Sequence, residues 1–267
     1  MIGQLNIFNY INNKTRDTFP RSLILLGPYG CGKHSICDYI KDKLGIPLIN
    51  ISEKISLDFI QSLYQKPEPY LYLIECSEIT IKEQNMLLKL IEEPLKNAYI
   101  VLIAESSNQI LSTVYNRCQV LRFEPYSKDE LAQFTSDELV LKIAETPGEV
   151  LDLSQDNKLT DILELTDKIV NKIGTANLPN VLTISDKLAY KNEKNKFSIP
   201  SFSKVLNYSI KQKIREDSNL IYIDMYKLIR EWNIKRKAPT ISQKFLFENL
   251  LVKLYNLMKA KQRLLKH

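Results

Sequence analysis

An apolar run, SLILLG at residues 22–27, passes directly into Gly27-Pro28-Tyr29-Gly30-Cys31-Gly32-Lys33-His34-Ser35. The run has the length of one buried strand, and KHSICDYIKDKL at 33–44 sets Ile36, Ile40 and Leu44 on one helical face. Strand, GxxxxGK loop and helix, in that order, form a frame that holds phosphate by its backbone. Glycines let successive N–H groups converge on phosphate oxygens, and the start of the helix adds its dipole. Lys33 would reach the terminal phosphates. The chain has only 7 glycines in 267 residues, so three of them between positions 27 and 32 stand out. The alternative is a glycine-rich turn with no ligand. Gly27, Pro28, Gly30, Cys31, Gly32, Lys33, His34 and Ser35 are the candidate nucleotide-binding residues.

Further apolar runs at 46–51, 70–75 and 98–104 predict three more strands. The segment 81–91, with Leu87, Leu88, Leu90 and Ile91 at helical spacing, lies between the last two. Strands alternating with helices predict a parallel sheet, and continuously apolar strands predict a sheet covered on both faces. After Pro125 the pattern turns helical. Ser127 and Glu130 have capping-box spacing at the head of SKDELAQF, and Thr146-Pro147-Gly148 separates two helices. The polar stretch 191–200, ending at Pro200, predicts an exposed loop, and Pro239 separates the last two helices. The expected organisation is an α/β domain at 1–125, a small helical domain at 126–175 and an all-helical domain at 176–267.

Three positions that catalysis would need are altered. A phosphate loop of this kind follows its lysine with Ser or Thr, whose hydroxyl ligates magnesium; here the residue is His34, and Ser35 is one step too far round the helix. The strand at 70–74 should end in an Asp for the metal and a Glu that activates water. It ends instead in Glu75 and Cys76. A thiol with an ordinary pKa of ~8.5 and no adjacent base is a poor general base. The expectation is a site that cradles ATP or ADP weakly, holds magnesium poorly and hydrolyses little.

Charge divides along the chain. Residues 187–267 hold 19 Lys/Arg and 6 Asp/Glu, a net of +13; against +6 for the whole chain, this leaves −7 for residues 1–186. A basic C-terminal third suits nucleic acid or an acidic protein surface, and the alternative is a set of solvated helix faces. No apolar run approaches the ~20 residues of a membrane span, and the N-terminus has no secretory pattern. Cys31, Cys37, Cys76 and Cys118 form no CxxC pair, so neither a structural zinc site nor any other metal site is expected, and reduced thiols in the cytoplasm are.

The order Ile2-Gly3-Gln4, the phosphate loop, LYLIECSEIT at 71–80, EQNMLLKLIEEP at 83–94 and STVYNRCQVLRF at 112–123 resembles the clamp-loader branch of the AAA+ ATPases. The likeness covers residues 1–150 well. It continues more thinly into the C-terminal helices, where APTISQKFLFENLLVKL is similar to the last helices of bacterial subunits. The resemblance implies an AAA+ domain, a helical lid and a helical collar that joins subunits. Asn116-Arg117-Cys118 resembles the family's Ser-Arg-Cys motif, whose arginine projects into a neighbour's ATP site. That implies an arginine-finger role in trans for Arg117, the alternative being a salt bridge capping the sheet edge. Glu105 stands where the family carries Asn or Thr beside the γ-phosphate, and Thr146-Pro147-Gly148-Glu149 lacks the family's second sensor arginine. A defective site in cis beside a retained arginine in trans resembles the family's rigid, non-hydrolysing end-piece.

The implied partners are other clamp-loader subunits in a hetero-oligomer, expected to be a pentamer, with a sliding clamp and primer–template DNA. Lys82 and Lys89, on the helix after the third strand, are candidate DNA contacts. Two other readings stay open: an ATP-hydrolysing clamp-loader subunit, and a basic nucleic-acid-binding adaptor outside any clamp loader.

Overall fold

The computed structural model describes residues 3–51, 54–190, 194, 196–217, 219–236 and 242–264. Ile2 of the Ile2-Gly3-Gln4 string, residues 191–193 and 195 of the polar stretch 191–200, and Pro239 lie outside the described residues.

The chain begins with α1 (Leu5–Asn12), β1 (Ser22–Leu26), α2 (Lys33–Leu44), β2 (Leu48–Ile51), α3 (Leu57–Gln65), β3 (Tyr70–Glu75), α4 (Ile81–Glu92) and β4 (Ala98–Ala104). A 3₁₀ turn at Ser107–Gln109, the short α5 (Ser112–Tyr115) and β5 (Gln119–Arg122) follow. The strands form one parallel sheet in the order β2-β3-β4-β1-β5. Leu23, Leu25, Leu71, Leu73, Val101 and Ile103 pack on one face with Ile7 and Ile11 of α1 and Ile36 and Ile40 of α2. Ile24, Leu26, Tyr72, Ile74, Ile100 and Leu102 pack on the other with Ile60 of α3 and Leu87 and Leu90 of α4. A strand covered on both faces has no polar side to alternate with, which is why β1, β3 and β4 read as unbroken apolar runs.

The remaining helices are α6 (Lys128–Leu131), α7 (Glu138–Ile143), α8 (Pro147–Ser154), α9 (Leu159–Lys172), α10 (Leu178–Leu182), α11 (Ile199–Glu216), α12 (Leu220–Lys235) and α13 (Gln243–Leu264). Met1–Ser136 with Glu145–Val150 forms one compact unit, and Asp137–Ala144 with Leu151–His267 forms another. In the second unit, Phe247 of α13 packs edge-on against Phe202 of α11, ring centroids 5.3 Å apart, and lies 5.5 Å from Trp232 of α12. Leu250 and Leu254 are buried there, whereas Phe245 is exposed.

Several details depart from the sequence-based expectations. Residues 119–122 form a fifth strand, and α1 and α3 are additional helices. The helix expected over SKDELAQF is a single turn, although its capping box is formed: Ser127 and Glu130 exchange bonds. Pro200 does not end a loop; it sits in the first turn of α11, where a missing N–H costs nothing. The 3₁₀ turn and α5 lie between β4 and Arg117.

Candidate functional site

The C-terminal ends of β1, β3 and β4 line up, and the phosphate loop emerges among them. Gly27 N–H donates to Ala104 O at 3.1 Å, and Cys76 N–H to Ile103 O at 2.8 Å. Gly30 and Gly32 take φ values of 72° and 95°, a region that L side chains avoid, so the loop turns where only glycine is unstrained. Gly30 also meets a second backbone. A Cβ there would lie 2.8 Å from Gly148 Cα, and Gly148 N–H donates to Gly30 O at 2.9 Å. Thr146-Pro147-Gly148, which opens α8, thus abuts the phosphate loop. On the loop's other side, Tyr126 Oη donates to Cys31 O at 2.9 Å.

Lys33 is 7% exposed, and its ammonium donates to Gly27 O at 2.6 Å and Pro28 O at 2.7 Å. The loop therefore closes on its own lysine, which would have to exchange two carbonyls for phosphate oxygens to bind a nucleotide. Beside it, His34 Nε2 lies 2.8 Å from Glu75 Oε1. Burial pushes the Glu75 carboxyl above its usual range, and His34 and Lys33 pull the other way. Magnesium takes hard oxygen ligands in a near-ideal octahedron at about 2.0–2.1 Å. Here one ligand position is an imidazole, and the other is a carboxylate already bonded to that imidazole. These residues do not fit magnesium. Cys76 is buried, and burial, followed by the charge of Glu75, pushes its thiol up to about 12. It stays protonated at neutral pH and cannot take a proton from water. Among the described residues no group of three or more His, Cys, Asp or Glu side chains comes together to hold a metal ion.

Glu105 follows β4 directly and is exposed; its N–H donates to Gln109 Oε1 at 2.7 Å. Ser35 is exposed in the first turn of α2. Lys82 and Lys89 lie exposed on one face of α4, seven residues apart, and neither takes part in an ion pair among the described residues.

Arg117 lies in the turn between α5 and β5, about 44% exposed. Its Nε is 2.6 Å from Glu92 Oε1, and its Nη1 donates to Thr113 O at 3.0 Å. Sequence reasoning missed two residues that shape this corner. One is Glu92, the last residue of α4. The other is buried Gln84, whose Nε2 donates to Gln109 O and whose Oε1 accepts from Leu111 N–H, both at 2.8 Å. Both lie inside the EQNMLLKLIEEP string, but their partners are about 25 residues further on, a separation that no periodicity reports.

The family model described as "DNA polymerase III, delta subunit" matches residues 46–127. Over 192 residues the chain is 23% identical to the DNA polymerase III subunit delta' of Bacillus subtilis, covering 66% of this chain and 57% of that protein. Over 60 residues it is 40% identical to the subunit of the same name from Haemophilus influenzae, covering 22% and 18%. The matches thus span less than two thirds of the length of either relative. Among solved structures, a DNA polymerase III gamma subunit-related protein from Thermotoga maritima aligns with a TM-score of 0.47 at 15% identity over 94% of this chain and 99% of that one. The Thermotoga maritima RuvB Holliday junction branch migration motor aligns with a TM-score of 0.46 at 18% identity, over 80% and 76%. No described helix is long and apolar enough to cross a membrane. With the ordered motifs around the phosphate loop and Arg117, the match over residues 46–127 and the two curated relatives make this chain similar to the delta-prime subunits of DNA polymerase III.

Proposed function

We propose that the chain is a non-hydrolysing clamp-loader subunit that completes a neighbouring subunit's ATP site with Arg117. One observation carries this: the two positions that would hold magnesium in its own site, His34 and Glu75, are bonded to each other, while Arg117 stands on the surface with part of its guanidinium available. A fixed guanidinium neutralises charge on a transferring phosphoryl group, and one supplied in trans contributes about 10³–10⁵ in rate. On this reading the partners are the ATP-hydrolysing clamp-loader subunits of a hetero-oligomer, a sliding clamp and primer–template DNA in the cytoplasm. The basic C-terminal helices join the subunits.

The experiment is ATP hydrolysis by the reconstituted complex. Arg117→Ala is expected to lower turnover by about 10³-fold or more while leaving folding and assembly intact. Lys33→Ala, which alters only this chain's own loop, is expected to change it far less per folded molecule. If Arg117→Ala lowers the melting temperature and leaves turnover intact, the arginine is a structural salt-bridge partner. The complete glycine frame with Lys33 favours a second reading, an active ATPase. Turnover near ~1 s⁻¹ by the isolated chain, abolished by Lys33→Ala, would establish that reading instead.

A further inference from the structure

We infer that Glu92 is the positioning residue for Arg117: it orients the guanidinium before a neighbour's nucleotide arrives, and it rests on the reading of Arg117 as a finger. Glu92 is the last residue of α4, followed by Glu93 and Pro94. A carboxylate at a helix C-terminus faces the negative end of the helix dipole, so local helix chemistry disfavours it there. Nor does packing require it, since its side chain is about 48% exposed. A residue that breaks a local rule without a packing gain is a candidate for function. What Glu92 does is accept Arg117 Nε at 2.6 Å.

That bond is one of two. Thr113 O accepts Nη1 at 3.0 Å, so the guanidinium is held at two of its three nitrogens. Two restraints on a planar group fix its plane and direction. Nη2 makes no bond to another described residue, and this is the nitrogen left to meet phosphate. An arginine side chain otherwise has large rotamer freedom, and a finger that must be ordered at the moment of reaction loses rate accordingly.

The element carrying Glu92 is itself tied to the finger's segment. Gln84, two turns earlier on α4, bonds Gln109 and Leu111 on the approach to α5. The helix therefore grips the Arg117 segment at two points, through Gln84 and through Glu92. A salt bridge at the surface with no such role would affect stability slightly and hydrolysis not at all.

The test is steady-state ATPase of the complex carrying wild-type chain, Arg117→Ala, Glu92→Ala, Glu92→Gln or the Glu92→Ala/Arg117→Ala double variant, with melting temperature measured on each. Glu92→Ala is expected to lower kcat about tenfold with KM little changed, as for an interaction made only in the transition state. Glu92→Gln, which keeps an acceptor oxygen, is expected to stay within about threefold of wild type. The double variant should match Arg117→Ala alone, because Glu92 acts through Arg117. The inference is overturned if Arg117→Ala lowers kcat and Glu92→Ala does not. It is overturned equally if Glu92→Ala raises kcat, which would make Glu92 a restraint, or if the double variant falls well below Arg117→Ala. If Arg117→Ala itself leaves kcat unchanged, the finger reading fails first and the inference falls with it.

Discussion

His34 and Glu75 face each other where a phosphate loop and the end of the strand carrying the acidic metal ligand ordinarily share a magnesium ion, and their 2.8 Å bond has a consequence for binding. The cation that would bridge protein and phosphate is replaced by an imidazole already engaged with the carboxylate. ADP binding by this chain is therefore expected to be weak, with Kd above about 1 µM, and to change less than about threefold when magnesium is replaced by EDTA. The double variant His34→Ser/Glu75→Asp should gain a magnesium dependence of about tenfold or more. Isothermal calorimetry on both proteins decides the matter, and a wild-type chain that binds ADP only with magnesium would refute it. The replacements His34, Cys76 and Glu105 can be read from the sequence because a motif fixes which residue belongs at each position. Lys33 bonded to Gly27 O and Pro28 O could not be read, because the same lysine in the same string serves either phosphate or its own loop. Glu92 was hidden for a different reason. Its partner is 25 positions away, and a glutamate near a helix end looks like an ordinary surface residue.

Among the elements, α4 carries the most chemistry for its length, and its N-terminus is fixed with unusual completeness. Thr80 and Glu83 form a capping box, and Glu83 Oε1 also accepts the N–H of buried Ile55 at 3.1 Å. The Thr80 hydroxyl, followed by the backbone N–H groups, holds the Glu83 carboxyl below the usual carboxylate range. Glu83→Ala removes the cap and leaves the Ile55 N–H buried without its acceptor, so it should destabilise by about 2–3 kcal/mol. The sign with pH follows from the depressed value. The contribution is fully present above the unfolded pKa of ~4.3 and is lost as pH falls through the lower folded value. Denaturant melts of wild type and Glu83→Ala from pH 7 to pH 3 should therefore converge at the acid end; a gap that stays constant would show that the ionised carboxylate is not what matters. The strands β1, β3 and β4 were legible as apolar runs. β5 was not, because Gln119-Val120-Leu121-Arg122 is short and polar at both ends, an edge strand with little hydrophobic signal. The helix α3 escaped because its apolar residues, Leu57, Phe59, Ile60 and Leu63, follow a lone N-cap serine, Ser56, rather than an obvious breaker.

For the whole molecule, the feature that ties sequence to proposed task is the uneven charge, net +13 over residues 187–267 against −7 over 1–186. If primer–template DNA lay along the basic third of this chain, substitutions there would dominate the salt dependence of DNA binding. If DNA instead meets the first compact unit, the exposed cations of α4 should dominate despite that unit's acidic surroundings. Lys82 and Lys89 share one exposed face of α4 and take part in no ion pair among the described residues, so the positive charge of each is available to a phosphate. Each phosphate contact adds about 0.9 to the slope of log K against log salt on duplex DNA. The Lys82→Ala/Lys89→Ala variant of the complex should therefore lower that slope by about 2, weakening binding by the same factor on every sequence, since phosphate contacts carry no base information. On the proposed reading, in which charge on the C-terminal helices steers subunits together rather than gripping DNA, neutralising Lys227 and Arg230 of α12 in the second unit should leave the slope unchanged while slowing assembly at low salt. Fluorescence anisotropy of labelled primer–template from about 50 to 200 mM salt measures the first quantity, and stopped-flow mixing of subunits measures the second. An unchanged slope in the α4 variant, with a reduced slope in the α12 variant, would move the DNA-binding surface to the C-terminal helices.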